Sequence, residues 1–515
     1  MKKQKENTTL CYDLTAKKNR MQRMVFPMIK SIHHFEDFGV KKLAGILEIF
    51  LKEPEKQAEF IYGITDSVVQ LELDIIAETF ENMDDELRNS VFRKKNWVIS
   101  RRDSTSLITS LGVVNYHKTL FKNKNNGASE YLLDRIMRFK SHMRMTEDAE
   151  AQMLEEAVDS SYHKGGIKAS LLENVSKQTV KNKIHELKFY PQIAQMKKKK
   201  QVPYLYIDAD EDHVSLQYLE KKGDITNLRG NTSMPKIAYV YEGVETDAPK
   251  SKRNKLINPK YFGGLYEGSK GVEQFWKEIN DYISATYDLN TLKHIYINGD
   301  GAGWIKSGCK WVSNSTFVLD KFHMKKYITT ATPHLLDSAE DARSEIYQAI
   351  YKRKKWMMSE TFERILKVTE SEAQRKKVEA SEAYILGNWE GIMQGQRNKE
   401  VQTGCSAEGH VSHIYADRMS SRPMGWSRHG VDQMAKLRIY KANQGKMLDL
   451  VRMQKQEVAL AVGYDEEQIF LSSEMFRAER KRLTEEQKYV ERITYTIPFS
   501  EVKKMAYFKS HIWGL

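Results

Sequence analysis

Three acidic positions far apart in the chain have the residue types and surroundings that handling a metal ion demands. The first is Asp208-Ala209-Asp210-Glu211-Asp212, where Asp208, Asp210 and Asp212 share one face if an extended strand runs through them. The second is Asp300, set among Gly299, Gly301 and Gly303 directly after the apolar run Ile295-Tyr296-Ile297. A carboxylate at the end of a buried strand is costly unless something pairs with it, and a cation is the usual partner. The glycines let the backbone turn and let a bulky ligand approach. The third is Glu408, in Gly404-Cys405-Ser406-Ala407-Glu408-Gly409-His410. Plainer readings stand beside these: Asp300 as the cap of a following helix, and Asp208–Asp212 as an acidic strand exit in solvent. A calcium loop starting at Asp208 fails, because its sixth position is His213 and its twelfth Leu219. A dinucleotide fingerprint fits Gly299 and Gly301 but ends on Trp304.

Histidines lie close to these carboxylates in sequence. His323 follows Asp320 in a D-x-x-H arrangement, and His410 and His413 follow Glu408 at helical spacing. Zinc held by these histidines with Cys309 or Cys405 would lack the paired-cysteine spacing of such sites. Ordinary packing accounts equally for His413, and burial in a core is the commoner fate of Trp304 and Trp389, which could otherwise stack on a base.

The elements that would position these residues begin at Tyr204. Tyr204–Asp208 continuing to Gln217 reads as one strand or hairpin arm, Ile237–Glu242 as a second strand and Tyr261–Glu267 as a third. Val272, Phe275, Trp276, Ile279 and Ile283 recur at helical spacing. The Ile295–Ile297 strand follows, then a short Gly-Trp helix, then Phe317-Val318-Leu319 ending in Asp320. Three strands, a helix, a strand, a short helix and a strand is the order of the ribonuclease H-like fold, an α/β architecture with two acidic groups on neighbouring central strands. From Met324 to about Gln396 the pattern is wholly helical and heavily charged, so the 108 residues between Asp300 and Glu408 hold an all-α insertion; 90 separate Asp210 from Asp300.

Upstream, His33 to Arg93 has helical apolar spacing, and residues 1–30 form a basic, weakly patterned arm. Arg93-Lys94-Lys95 and Arg101-Arg102 bracket a short basic hairpin with a loop at Asn123–Gly127; its arginines suit DNA or plain solvent. Helices are expected at Ala149–Ser160, Lys168–Asn174 and Ser176–Leu187. The last is capped by Ser176, with Val180, Ile184 and Leu187 on one face and Lys177, Gln178, Lys181 and Lys183 on the others. With a turn at Asn174-Val175, this is either a helix-turn-helix that reads DNA or a plain three-helix packing unit. Lys197–Lys200 reads as a solvated linker. Basic amphipathic helices close the chain, with a second cluster at Arg477–Arg482.

The whole chain limits the partners. Its 515 residues imply several domains, and a formal charge of +13 with 29% charged residues favours a polyanion. Three cysteines (Cys11, Cys309, Cys405) without a C-x-x-C pair argue for a reducing compartment. No signal-peptide core and no run of ~18 apolar residues is present, so a cytoplasmic protein without a membrane partner is expected. The expected division is 1–145 (mainly helical with the basic hairpin, DNA-binding), 146–200 (helix-turn-helix and linker), 201–330 (first part of the ribonuclease H-like core), 331–399 (all-α insertion), 400–430 (closing helix with Glu408) and 431–515 (basic helical tail).

Four segments carry a family resemblance, and they occur in the family's order: Tyr206-Ile207-Asp208-Ala209-Asp210-Glu211-Asp212-His213-Val214, Gly299-Asp300-Gly301-Ala302-Gly303-Trp304-Ile305, Asp320-Lys321-Phe322-His323, and Cys405 through His413. Over nearly its whole length the chain resembles the DDE transposases of bacterial insertion sequences, in the Mutator-like branch and of the ISLre type. The resemblance implies Asp210, Asp300 and Glu408 as catalytic carboxylates, with Asp208 or Asp210 as the first of them and the other a further metal ligand. It implies His323 near the scissile phosphate. Two Mg²⁺ ions, replaceable by Mn²⁺, would activate first a water and then a freed 3′-hydroxyl in cleavage and strand transfer. The partners implied are the terminal inverted repeats of the element, target DNA and further copies of the protein on that DNA, at the bacterial nucleoid. Lys177, Gln178, Lys181, Lys183, Arg101 and Arg102 are the expected DNA contacts. A DNA-binding repressor without activity, or a structure-specific nuclease, would fit the same fold.

Overall fold

The computed structural model describes residues 30–140, 142–190, 198–217, 231–249, 251, 254–401, 405–422 and 424–462. The basic arm, Cys11, Lys197, Gly404 and the Arg477–Arg482 cluster lie outside the described residues. The chain is a mixed α/β protein of helices and small sheets. It divides into two compact units: the described parts of Met1–Met153, Gly166–Val175 and Val451–Leu515, and those of Leu154–Gly165 and Ser176–Leu450. Among the described residues no helix is long and apolar enough to cross a membrane.

In the first unit β1 (Trp97–Ile108), β2 (Val113–Asn123) and β3 (Ser129–Tyr131) form an antiparallel sheet. The hairpin is far longer than the short one expected from Trp97–Val114. Polar residues Arg101–Ser106 continue the strand because their partners on β2 include the buried Tyr116 and Thr119, which lie against the long helix Gln57–Asn89. Asp84 of that helix accepts hydrogen bonds from Thr119 N–H at 2.9 Å and from its hydroxyl at 2.6 Å, fastening the sheet in a core of Leu87, Trp97, Phe121 and Leu132.

The second unit is built on a five-stranded sheet. Its elements in chain order are β4 (Tyr204–Glu211), β5 (Val214–Ser215), β6 (Thr232–Ser233), β7 (Lys236–Tyr241), β8 (Gly243–Thr246), β9 (Asn254–Ile257), β10 (Lys260–Gly264), β11 (His294–Gly299) and β12 (Ser315–Leu319). The large sheet runs β10-β7-β4-β11-β12. The β10–β7 and β7–β4 pairs are antiparallel, and β4–β11 and β11–β12 are parallel. β5–β6 and β8–β9 are separate two-stranded ladders, neither expected from sequence.

Alternation along the strands sets the two faces. Leu205, Ile207, Ala209, Ala238, Val240, Ile295 and Ile297 turn towards Phe275, Trp276, Ile279 and Ile283 of the helix Gly268–Thr286. The opposite face carries tyrosines, among them Tyr204, Tyr206 and Tyr296, whose rings stack in a row. After β12 come the helices Lys321–Thr330, Ala339–Tyr351, Lys355–Lys367, Glu372–Gly387 and Trp389–Arg397, packed on their own core of Ile328, Ile346, Phe362, Val378 and Ile385. The wholly helical stretch read from the sequence is therefore helical.

Two readings change. The strand from Tyr204 stops at Glu211, and Asp212 turns away to accept from Ser420 Oγ at 2.9 Å, so it does not share the face of Asp208 and Asp210. The helix expected at Lys168–Asn174 lies instead at Tyr162–Lys168, so the connection to the helix Lys177–Glu186 spans residues 169–176. That is longer than the three or four residues of a helix-turn-helix. Ser176 does cap Lys177–Glu186, accepting from Thr179 N–H at 3.2 Å, and Val180, Ile184 and Leu187 are buried as their spacing required. Their side of the helix is met by Arg428–Ala442, which contributes His429, hydrogen-bonded to the His185 carbonyl at 2.9 Å. No local pattern in the sequence could show a partner so distant along the chain.

Candidate functional site

The strand register brings three of the expected residues together. Asp208 sits directly across from Asn298 on β11 and Tyr239 on β7. It is completely buried, and both its oxygens are occupied. Oδ1 accepts from Asn298 Nδ2 at 2.7 Å and Tyr241 OH at 3.1 Å; Oδ2 accepts from Tyr239 OH at 2.9 Å and the Ser406 backbone N–H at 2.9 Å. Burial pushes the Asp208 carboxyl up from its ordinary pKa, while these donors pull it down. Asp208 thus ties β7, β11 and the segment before Glu408 to β4. It has little left to offer a ligand.

Asp210, two residues on, faces the same way and is differently placed. Among the described residues its Oδ1 accepts only from the adjacent Glu211 N–H, at 2.8 Å. Burial pushes its carboxyl up to about 6, and the nearby Asp300 carboxylate pushes in the same direction, against the Glu211 N–H and His323. Asp300 follows the last residue of β11, the strand beside β4. Its Oδ1 accepts from Ala302 N–H at 2.9 Å, a local turn that leads into the short helix Gly303–Lys306. Asp300 does not itself cap that helix, whose N-cap residue is Ala302 with no side-chain hydrogen bond, while its carboxylate is near enough to act on that of Asp210.

Glycines make this corner possible. A Cβ on Gly299 would stand 2.9 Å from the Ala209 carbonyl oxygen, so only glycine lets β11 approach β4 here. Gly301 has φ +92°, a left-handed conformation, and the space a Cβ would need there holds the Asn388 side chain. Tyr384 OH donates to the Asp300 carbonyl. Tyr384 and Asn388, at the end of the helix Glu372–Gly387, thus brace the Asp300 loop. Sequence reasoning missed both, and it also missed Asn298, Tyr239, Tyr241 and Ser406; a buried Asp flanked by tyrosines at register positions was the available signal.

His323 belongs to the same cluster. Asp320 caps the helix Lys321–Thr330 by accepting from Phe322 N–H at 3.1 Å, and its other oxygen meets His323 Nδ1 at 2.9 Å. That hydrogen bond raises the imidazole pKa, with Asp320, Asp300 and Asp210 adding to it, against burial. The Cys405 thiol lies near Asp208, Asp320 and Asp210; burial raises its pKa, which keeps it protonated and un-nucleophilic.

Glu408 stands apart. It is on the first turn of the short helix Ala407–Val411, exposed, and its carboxylate has no hydrogen-bond or ion-pair partner among the described residues. That helix is fastened close by, since the residue before it, Ser406, is bound to Asp208 and accepts or donates with Tyr239 OH at 2.7 Å. His410 packs its ring 4.4 Å from that of Tyr239, and its Nδ1 lies 3.0 Å from the Ser406 carbonyl. His413 is exposed, 3.6 Å from Asp417. Trp304 and Trp389 are both partly buried against hydrophobic cores.

Among the described residues, no three of His, Cys, Asp and Glu are gathered closely enough to form a ready-made metal cage. The donors present nevertheless suit magnesium, which binds through one or two carboxylates and completes its shell with water and substrate oxygens. Asp210 and Asp300 are two hard oxygen donors that repel each other without a cation.

Of the expected DNA contacts, Lys177 and Gln178 are exposed and Lys181 and Lys183 half-buried. Gln178 donates to Asn182 at 2.7 Å. In the first unit Arg101 is exposed and paired with Asp103 at 2.9 Å, and Arg102 lies 3.7 Å from Glu81. These arginines would have to exchange carboxylates for phosphates.

A mixed α/β protein with paired carboxylates at the ends of neighbouring parallel strands is the class that fold and site define. Residues 52–457 match the uncharacterised protein family UPF0236, and the chain belongs to that family. It is 35% identical over 425 residues to a UPF0236 protein of Caldanaerobacter subterraneus subsp. tengcongensis whose name joins eleven locus labels, TTE0033 to TTE2212; the match spans 81% of this chain and 86% of that one. A second protein of that organism, TTE1650/TTE2708, is 34% identical over 457 residues, 87% of each chain. A UPF0236 protein in the vanSb 3′ region of Streptococcus gallolyticus is 23% identical over 372 residues, 70% of this chain and 77% of that one.

Proposed function

We propose that this protein is a DDE-type transposase, which binds the ends of its own insertion sequence and carries out metal-dependent strand cleavage and strand transfer. The observation that carries the reading is the pair Asp210 and Asp300. They close neighbouring parallel strands, and the Asp300 carboxylate is near enough to disfavour ionisation of Asp210. We read the strand order β10-β7-β4-β11-β12 as a ribonuclease H-like sheet, with the helical stretch after β12 as its insertion. The name of one relative, joining eleven locus labels from one genome, is what a protein that copies its own gene would accumulate.

In this reading Asp210 and Asp300 would hold the divalent cations, and Glu408 would be the third carboxylate to serve them. Bound Mg²⁺ would lower the pKa of a nucleophilic water or 3′-hydroxyl and offset the charge on the leaving oxygen. Asp208 holds the floor of the site rigid through its four donors. His323, held by Asp320 through Nδ1, would offer its other ring nitrogen to a non-bridging phosphate oxygen. Lys177, Lys181 and Lys183 supply phosphate contacts from a helix whose opposite side is packed. The fuller hydrogen bonding of Asp208 favours Asp210 as the first catalytic carboxylate in this reading.

The test is incubation of the full chain with DNA flanking its own coding region, in Mg²⁺ and in a chelator. Nicks at the element's ends that need Mg²⁺, followed by joining to a supplied target, support the proposal. Tight end binding without any nick, in Mg²⁺ or Mn²⁺, would make it a DNA-binding repressor; cutting without joining would make it a nuclease.

A further inference from the structure

The helices that follow β12 leave a cleft beside the carboxylates, and nothing in the proposed chemistry uses it. About 450 Å³ in volume, it opens between β12, the helix Lys321–Thr330 and the helix Ala339–Tyr351. Its walls include Val318, Leu319, Met324, Ile350 and Ile392, and Asn298 reaches it from beside Asp208. A space of that order takes a small planar molecule or one nucleotide unit. Asp320 is the only acid among the described residues that line it, and Phe322 N–H and His323 engage both its oxygens.

Two pairs of side chains, each pair one helical turn apart, also line the cleft: Lys321 with Lys325, and Tyr347 with Tyr351. Both tyrosines are exposed, Tyr351 to 81%. Tyr351 ends its helix and leads into Lys352-Arg353-Lys354-Lys355-Trp356, where Trp356 is 63% exposed. No acid occurs from Ile346 to Ser359. Among the described residues neither Lys325 nor any of the four cations in the run has an ion pair. The turn is closed: Arg353 N–H donates to the Ile350 carbonyl and Lys354 N–H to the Ala349 carbonyl, each at 3.0 Å. Arg353 has φ +55°, so a cation stands where the end of a helix favours glycine.

Charge and ring faces together identify the occupant. Cations alone suit any polyanion, and exposed rings alone suit any apolar partner. Rings interleaved with unpaired cations, at the mouth of a cleft of one-nucleotide size, suit a strand with unpaired bases, because a duplex keeps its base faces stacked inside. We propose that this cleft and the turn from Tyr351 to Trp356 bind single-stranded DNA. One base lies against Tyr347 and Tyr351, and backbone phosphates meet Lys325 and the cations of the run. The site deepens the transposase reading and rests on it for the origin of the strand, which would be one freed beside Asp210 and Asp300.

The test is the binding of a labelled single strand of mixed sequence, and of the duplex of that sequence, to the full-length protein in chelator. Tyr347→Ser with Tyr351→Ser should weaken single-strand binding about tenfold or more and leave duplex binding within about twofold. Tyr347→Phe with Tyr351→Phe keeps the rings and should bind the strand as wild type does. Lys352→Ala with Lys354→Ala and Lys355→Ala should lower the slope of log affinity against log salt for the strand by about 2, at about 0.7 for each lost contact. A strand carrying 5-iodouracil should crosslink to Tyr347 or Tyr351 on irradiation of the wild type. A wild type that does not bind the strand, a strand indifferent to the serines, equal losses for strand and duplex, or crosslinks only elsewhere would each overturn the proposal. Chelator prevents cutting, so failure here is separate from failure to nick in Mg²⁺, which would defeat the transposase reading and leave the strand site standing.

Discussion

Asp208 and Asp210 stand two residues apart on the same face of one strand, and the protein treats them in opposite ways. Asp208 is enclosed and meets hydroxyl, amide and backbone donors from three other segments. Asp210 has its own neighbour's N–H and a second carboxylate for company. The first arrangement is what holding a structure together requires. The second raises the free energy of the folded protein when both groups are ionised, and such uncompensated pairs are characteristic of functional sites. The difference bears on which of the two is the first catalytic carboxylate in the proposed function.

The comparison can be broken most forcefully at Asp208. Asp208→Leu would leave the Tyr241 hydroxyl, the Asn298 amide and the Ser406 N–H buried without the acceptor they now have, while Tyr239 keeps the Ser406 hydroxyl. At about 1–3 kcal/mol for each unsatisfied group, relieved in part by relaxation, the loss should be about 3–5 kcal/mol. It would be read as a lower denaturation midpoint of the sheet-containing unit. Asp210→Leu should cost far less. Equal losses at the two positions would erase the distinction.

A smaller effect concerns pH. In chelator the Asp210 carboxyl has a folded pKa of about 6, above its ordinary value of 3.8. A carboxyl raised on folding favours the folded state when protonated. Its contribution is therefore complete below about pH 4 and is lost as pH rises towards and through 6. Roughly 3 kcal/mol at most is involved. Asp210→Asn should flatten the stability–pH curve across that window. Mg²⁺ at neutral pH should raise the wild-type melting temperature and leave that of Asp210→Asn unmoved.

The smallest expected change lies away from the carboxylates. Lys181→Ala should weaken DNA binding a few-fold and lower the slope of log affinity against log salt by about 0.9, as the loss of one phosphate contact does. An unchanged slope would remove this helix from the DNA interface.

Much of this site was legible in the sequence because its parts are local. Ile295–Ile297 followed by Asp300 and glycines had to be a buried strand ending in a turn, and Ser176 with Val180 and Ile184 had to be a capped amphipathic helix. The five strands of the large sheet were each anticipated within a few residues. What escaped was set by register and by distant contacts. Asn298 matters because β11 slides against β4 so that it faces Asp208, which no spacing along the chain reveals. Tyr384 and Asn388 brace Asp300 from a helix 84 residues away in the case of Tyr384. The length of the β1–β2 hairpin escaped for a related reason: its polar strand β1 pairs with β2, which a buried helix carboxylate, Asp84, holds through Thr119.

The central claim is that Asp300 works as a metal-holding carboxylate. Asp300→Asn keeps the shape and the acceptor for Ala302 N–H but removes the negative charge. With the element's own ends as substrate in Mg²⁺, this variant should bind within about twofold of wild type and cut at least a thousandfold more slowly, a loss of about 4 kcal/mol in transition-state stabilisation. Cleavage by Asp300→Asn at the wild-type rate would contradict the account and place the chemistry elsewhere in the chain.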